Sequence, residues 1–193
     1  PSLPEIQMHL HKIIPMGAGL GGGSSDGTAA LKILNSLFQI GLSLEQLLQY
    51  AEKLGSDCPY FLYDTPCHAT GKGELLSPIE CNLSNYSIVL LHPGIHIATP
   101  WAFQQITPCK KDKLIATIIQ QPISTWRQEL INDFEAPVIK SHPIIGALKN
   151  DLYHQGAVYA SMSGSGSSLF GIFEKNIKYK KSDLTNHIRI DTI

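Results

Sequence analysis

Apolar and polar residues alternate through "PEIQMHLHKIIP", and a period of two is the mark of a strand with one buried face, so a strand is expected over residues 5–14. A glycine run then interrupts the pattern. From 24 to 38 the apolar positions crowd together: Ala29, Ala30, Leu31, Ile33, Leu34, Leu37 and Phe38 predict a helix buried on most sides. A second helix follows, with Leu44, Leu47, Leu48 and Ala51 at helical spacing, Ser43 as its N-cap and Gly55 as its stop. "CPYFLYDTPCHATGKGELLSPI" reads as short strands around a Gly-Lys-Gly bend. In "YSIVLLHPGIHIAT" the unbroken run from Ile88 to Leu91 predicts a fully buried strand, ended by Pro93-Gly94.

The texture changes after Thr99. Pro100 suits the first turn of a helix, because its missing N–H would have no partner there. Residues 107–126 are polar and proline-bearing, which predicts loop and a short helix. "INDFEAPVIKSHPIIGALKNDLYHQG" predicts two helices broken before Pro143, and "AVYASMSGSGSSLFGIFEK" predicts strand, glycine-serine turn, strand. "HIRIDTI" alternates like a closing strand. We place a domain boundary near 95–100, giving segments 1–96 and 97–193. The chain opens at Pro1 with a strand pattern already under way, so the start of the first domain is expected to lie outside this sequence.

Composition narrows the class. The chain has 193 residues, a net charge of −1 and 43% hydrophobic content, so no basic field points to nucleic acid or an anionic membrane. No apolar run approaches the length of a bilayer span. Cys58, Cys67, Cys81 and Cys109 form no CxxC pair and read as reduced thiols of a cytoplasmic protein. His9 and His11 share one side of the expected first strand, but with no partner cluster nearby they read as solvated side chains rather than metal ligands.

The chemistry concentrates in "KIIPMGAGLGGGSSDGTAALKILN". A helix N-terminus offers unpaired N–H groups and a partial positive charge, and glycines let an anion approach them. Ser24 and Ser25 add hydroxyls at the helix entry. A Walker A loop requires a Gly-Lys-Ser/Thr ending, and here the loop ends Gly23-Ser24-Ser25, so that form is excluded. Gly17, Gly19 and Gly22 match GxGxxG formally, but a second amphipathic helix follows where a dinucleotide fold needs a strand. Two readings remain: a phosphate loop on a strand-loop-helix unit of another kind, favoured because five glycines and two serines exceed what a turn needs, and a glycine-rich turn that only packs closely against a neighbour.

"PMGAGLGGGSSDG" resembles the second signature motif of the GHMP kinase superfamily, which includes galactokinases and the homoserine, mevalonate and phosphomevalonate kinases. The order of the remaining motifs is most similar to the 4-diphosphocytidyl-2-C-methyl-D-erythritol kinases within it. "LGSDCPYFL" is similar to that group's Gly-(Ala/Ser)-Asp-Val-Pro-Phe-Phe segment, with Cys58 at the valine, and "ATGKGELLSPI" to its Gly-x-Gly-Glu segment. "HPGIHIATPWAF", "NDFEAPVI" and "GAVYASMSGSGSSLFGIF" resemble its later motifs. The resemblance spans nearly the whole chain.

It implies an α+β, two-lobed fold: a ribosomal-protein-S5-like N-terminal lobe, here incomplete, and a ferredoxin-like C-terminal lobe. It implies transfer of a phosphoryl group from ATP to the 2-hydroxyl of a cytidylated methylerythritol. Pro15, Met16, Gly17, Ala18, Gly19, Leu20, Gly21, Gly22 and Gly23 would wrap the phosphates, and Ser24 or Ser25 would meet Mg²⁺. Asp57 would be the catalytic aspartate, accepting the hydroxyl proton. Asp26 would orient the loop without chemistry of its own, Thr99 would lie near substrate, and His92 and Trp101 would be structural. The second cluster, "SMSGSGSS", would lie beside the active site. The family's Lys-x-Asn strand has no counterpart here, so its lysine is assigned to no residue and the chain alone is expected to be inactive. Two other readings stay open: another small-molecule kinase of the superfamily, of homoserine or mevalonate type, and a non-catalytic nucleotide-binding module.

Overall fold

The computed structural model describes residues 4–63, 65–71, 73–107, 113–185 and 188–193; Lys72 of the expected bend and Cys109 lie outside the described residues. Contacts divide the chain into two compact units, Pro1–Met16 with Gly21–Glu80, and Gly17–Leu20 with Cys81–Ile193.

In the first unit, α1 (Gly22–Leu37) and α2 (Leu44–Leu54) form a helical pair, followed by a single 3₁₀ turn, Pro59–Leu62, and a hairpin of β1 (Cys67–Thr70) and β2 (Leu75–Pro78). The turn between the helices is fastened by one side chain. Asn35 donates through Nδ2 to the Leu42 carbonyl (3.1 Å) and accepts the Leu42 N–H at Oδ1 (2.9 Å). Ser43 caps α2 as expected, and the cap is reciprocal: Gln46 N–H donates to Ser43 Oγ while the Gln46 side chain accepts from Ser43 N–H. Leu47, Ala51, Cys58 and Leu62 make the small core, with Leu31, Leu42 and Leu48 against it.

Two expectations fail here. Residues 4–14 form no strand. Alternation supplies only a propensity, whereas a strand exists by its ladder, and no strand among the described residues pairs with this segment. Its apolar side chains stay open, Met8 at 66% and Ile13 at 63% exposure. Nor is α1 buried on most sides: Gly22 and Thr28 are buried, while Ala29, Ile33 and Leu37, spaced one turn apart, are exposed.

In the second unit, β3 (Tyr86–His92), β4 (Tyr159–Met162), β5 (Leu169–Glu174) and β6 (Arg189–Thr192) form one antiparallel sheet in the order β4-β5-β3-β6. The helices are α3 (Thr99–Gln105), α4 (Ile115–Ile119), α5 (Ile123–Glu129), α6 (Glu135–Ser141) and α7 (Pro143–His154). The break before Pro143, the strand-turn-strand of β4 and β5 and the closing strand all stand where the pattern placed them. β3 pairs with β5 and β6, so by its ladder the strand goes with this unit, upstream of the 95–100 change in texture.

Both faces of the sheet are covered. Val89, Leu91, Ala160, Met162, Leu169 and Phe173 join Val138, Ile145, Leu148 and Leu152 from α6 and α7 in the main core. The alternate residues Tyr159 and Ile172 pack with Ile118 and Trp126 from α4 and α5. That is why β4 is buried at all four positions, with the Ser161 hydroxyl donating to Glu135. Packing is close enough that a Cβ on Gly171 would stand 2.9 Å from Leu152.

Burial raises the phenols of Tyr159 and Tyr179 to about 12. Tyr159 donates to the Leu130 carbonyl at 2.7 Å, and Tyr179 to Asp151 at 2.7 Å. The folded state therefore favours the neutral phenols. The resulting stability is complete below the unfolded tyrosine value near 10 and is lost as pH climbs through 12. Urea midpoints should fall between pH 10 and pH 12, and Tyr159→Phe should flatten that fall. Absorbance at the phenolate band should show Tyr159 and Tyr179 titrating late, with Tyr153 also raised by burial; full ionisation near pH 10 in the folded protein would contradict the burial.

Candidate phosphate-binding site

The glycine loop reaches α1 through Gly21, whose left-handed backbone (φ 62°, ψ 18°) turns the chain into the helix and leaves no side chain to cap it. The first helical hydrogen bond runs from Ser25 N–H to the Gly21 carbonyl (2.9 Å), so the N–H groups of the preceding turn have no helical partner. No acidic residue occupies the first turn. Among the described residues, no atom beyond its chain neighbours and the helix's own backbone lies within 4 Å of the place a Cβ on Gly23 would take, which leaves open space over that turn. The helix starts two residues earlier than its apolar pattern predicted, because Gly22 and Gly23 carry no side chain to register in it.

Lys12 stands at the same helix start. Its ammonium lies 2.5 Å from Asp26 Oδ2 and 3.3 Å from the Gly22 carbonyl. The expectation that Asp26 orients the loop thus acquires a partner, while the role of Lys12 went unread: a lysine three residues before a proline looks like any solvated one. Gly22, unlike Gly23, is packed, with Lys12 Nζ 3.2 Å from its would-be Cβ.

Gly17 and Gly19, at φ 67° and 76°, hold the loop tip in conformations that side-chain-bearing residues rarely adopt. The tip belongs to the second unit, where the turn at 163–168 grips it. Ser163 Oγ donates to the Gly19 carbonyl (2.7 Å) and Ser168 N–H to the Ala18 carbonyl (3.1 Å). A Cβ on Gly19 would lie 2.1 Å from the Ser163 carbonyl, so only glycine fits. The other serines of the turn are also engaged: Ser165 with Thr99 (3.1 Å), Ser167 with the Ile95 carbonyl (2.5 Å) and Ser168 with His92 (3.2 Å).

Asp57 lies in the turn between α2 and the 3₁₀ helix, exposed, with Ser56 Oγ 3.4 Å from its Oδ1. Among the described residues no ion pair holds it. What fixes its turn is Thr28, 1% exposed on α1, which donates to the Cys58 carbonyl at 2.8 Å. The helix that presents the loop's N–H groups therefore also anchors the chain beside Asp57. A buried threonine in a helix gives no sequence signal of such a bond.

The described residues include no group of three or more His, Cys, Asp or Glu able to hold a metal ion, and His9 and His11 are exposed. No described helix is long and apolar enough to cross a membrane.

Residues 2–65 match the GHMP kinases N terminal domain and residues 117–182 the GHMP kinases C terminal domain. A 4-diphosphocytidyl-2-C-methyl-D-erythritol kinase of Porphyromonas gingivalis is 38% identical over 192 residues, covering 98% of this chain and 70% of that protein. The chain belongs to the GHMP kinase family. Another protein of the same name, from Bacteroides thetaiotaomicron, is 50% identical over 172 residues, covering 89% of this chain. The chain spans 63% of that relative's length. A crystal structure of a 4-(cytidine 5'-diphospho)-2C-methyl-D-erythritol kinase superposes with a TM-score of 0.72 at 31% identity, over 83% of this chain and 59% of that one. A homoserine kinase from Cytophaga hutchinsonii matches with a TM-score of 0.66 at 17% identity, over 94% of this chain and 67% of that one, and shares the fold. The α+β architecture is thus that of the GHMP kinases.

Two substitutions probe this GHMP kinase site. Gly23→Val projects a branched side chain into open space, so it should leave the urea midpoint nearly unchanged while lowering ATP affinity at least tenfold, read by calorimetry. Thr28→Val keeps shape and removes the hydroxyl, leaving the Cys58 carbonyl with the Phe61 N–H alone. It should cost about 0.5–1.5 kcal/mol of stability, measured by denaturant unfolding.

Proposed function

We propose that this chain forms part of an ATP-dependent kinase that phosphorylates the 2-hydroxyl of 4-diphosphocytidyl-2-C-methyl-D-erythritol. The observation that carries the reading is the start of α1, an uncapped helix N-terminus with open space over Gly23, on the helix that also ties down the Asp57 turn through Thr28. The named relatives supply the acceptor.

In this reading residues 15–25 hold the ATP phosphates, chiefly through backbone N–H groups of the loop and of the first turn of α1. Asp57 accepts the proton of the substrate hydroxyl as that oxygen bonds to the γ-phosphorus; the bond from phosphorus to the bridging oxygen breaks and ADP leaves. Phosphoryl transfer proceeds through a loose transition state, so positioning and charge stabilisation carry most of the catalysis. Mg²⁺ would neutralise charge on the phosphates. It commonly binds through phosphates, water and one or two protein oxygens, which suits a site whose nearest candidates are the hydroxyls of Ser24 and Ser25.

The lysine implied by the resemblance is assigned to no residue of the chain. The division into an ATP-binding domain and a C-terminal domain, with the β3 strand packed into the second, belongs to the same proposal, as does a cytoplasmic location.

A coupled ADP-release assay on the protein as its gene encodes it, comparing the cytidylated alcohol with homoserine and mevalonate, tests the substrate. Turnover confined to homoserine or mevalonate would replace this reading. Asp57→Asn keeps size and removes the proton acceptor. It should lower kcat on the order of 10²–10⁴-fold with little change in KM; an unchanged kcat would remove Asp57 from the reaction.

A further inference from the structure

The motif "NDFE" has no role in the site described so far, yet two of its side chains, half-buried Asn132 and buried Glu135, make contacts that converge on the end of β4 and the turn at 163–168. Asn132 Nδ2 donates to the carbonyls of Met162 and Gly164, both at 2.8 Å. Its Oδ1 accepts the Phe134 N–H at 2.9 Å, which shapes the entry to α6. Glu135, 6% exposed, accepts at Oε1 from Met162 N–H (2.7 Å) and Ser161 Oγ (3.0 Å), while Oε2 meets Lys149 Nζ (2.5 Å). The end of β4 is thus fixed on its N–H side by Glu135 and on its carbonyl side by Asn132.

The next residue along is Ser163, whose hydroxyl holds the Gly19 carbonyl and whose own carbonyl leaves Gly19 no room for a side chain. Every group in this sequence of contacts lies in the second unit. A shift at Gly164 is passed to Gly19 through a hydrogen bond on one side and steric contact on the other. Gly164 itself is exposed, but residues 166–169 behind it are buried, which limits the room in which the turn can take up such a shift.

Resting on the kinase reading above, we infer that Asn132 is a positioning residue for the phosphate loop, acting through residues 163–164 on Gly19, with Glu135 as its support. Asn132 touches neither nucleotide nor acceptor in this role.

The two halves of its side chain make the inference testable. Asn132→Asp retains Oδ1 for the Phe134 N–H and replaces the Nδ2 donor with an oxygen facing two carbonyls. Were Asn132 only a helix-entry residue, this variant would behave like the parent. Under the inference, the Ser168 amide, which donates to the Ala18 carbonyl of the loop, exchanges about tenfold faster, the effect of losing one hydrogen bond. KM for ATP rises by a similar factor, with a smaller change in kcat. Ser163→Ala removes only the link from turn to loop, so it shows the same direction and carries the test should Asn132→Asp fold poorly. Because both act along one route, the double variant is little worse than the more severe single one.

Unchanged exchange of the Ser168 amide in Ser163→Ala, or effects of the two changes that simply add, would overturn the inference. The readouts also separate it from the kinase reading. Faster exchange at Ser168 in a protein that turns over none of the three alcohols upholds the positioning role and removes the activity. An active parent whose Ser168 amide is indifferent to both changes does the reverse.

Discussion

Two backbones meet at Gly19 more closely than any side chain permits. The carbonyl of Ser163 lies 2.1 Å from the place a Cβ would take, and the Ser163 hydroxyl holds the carbonyl of the same glycine. The left-handed turns at Gly17 and Gly19, the engagement of every serine from 163 to 168 and the fastening of β4 by Asn132 and Glu135 all follow from keeping that approach. Glycine costs backbone entropy in an ordered loop. Here the cost is offset by hydrogen bonds that fix the peptide planes from outside, leaving a bare backbone that is nonetheless rigid.

α1 does a different job. Its N-terminus exposes N–H groups, and one turn further along Thr28 reaches the carbonyl next to Asp57. A single rigid rod therefore sets both where the free N–H groups point and where a carboxylate turn sits. The arrangement keeps the carboxylate itself exposed and outside any ion pair among the described residues, with the fixed geometry supplied by its neighbour Cys58.

Much of the fold was legible because the signals were local. Ser43 announced an N-cap, though not the return bond from Gln46, and the proline at 143 divided α6 from α7. The segment before the glycine-serine turn announced a strand, though not its burial on both faces. The failures came where the outcome depends on something not adjacent in sequence. Residues 5–14 alternate well, but a ladder needs a second edge. The apolar row of Ala29, Ile33 and Leu37 spells burial only if something lies against it. In the site, the glycine loop was visible from composition, since no turn requires so many glycines. Lys12, Thr28, Asn132 and Glu135 were not, because a polar side chain shows its purpose only through the atom it meets.

The grip on Gly19 comes from a residue 144 positions later in the chain. A ribosome makes the loop long before it makes Ser163, and chain elongation runs at about 5–20 residues per second. During that interval the glycines are a flexible tether of high entropy, with neither their hydrogen-bond partner nor the wall that restricts them. The loop therefore acquires its shape last, once the hairpin of β4 and β5 has closed. Order in the glycine loop reports that synthesis has passed residue 168: a protein truncated before that point keeps the whole signature motif in its sequence and lacks the turn that shapes it.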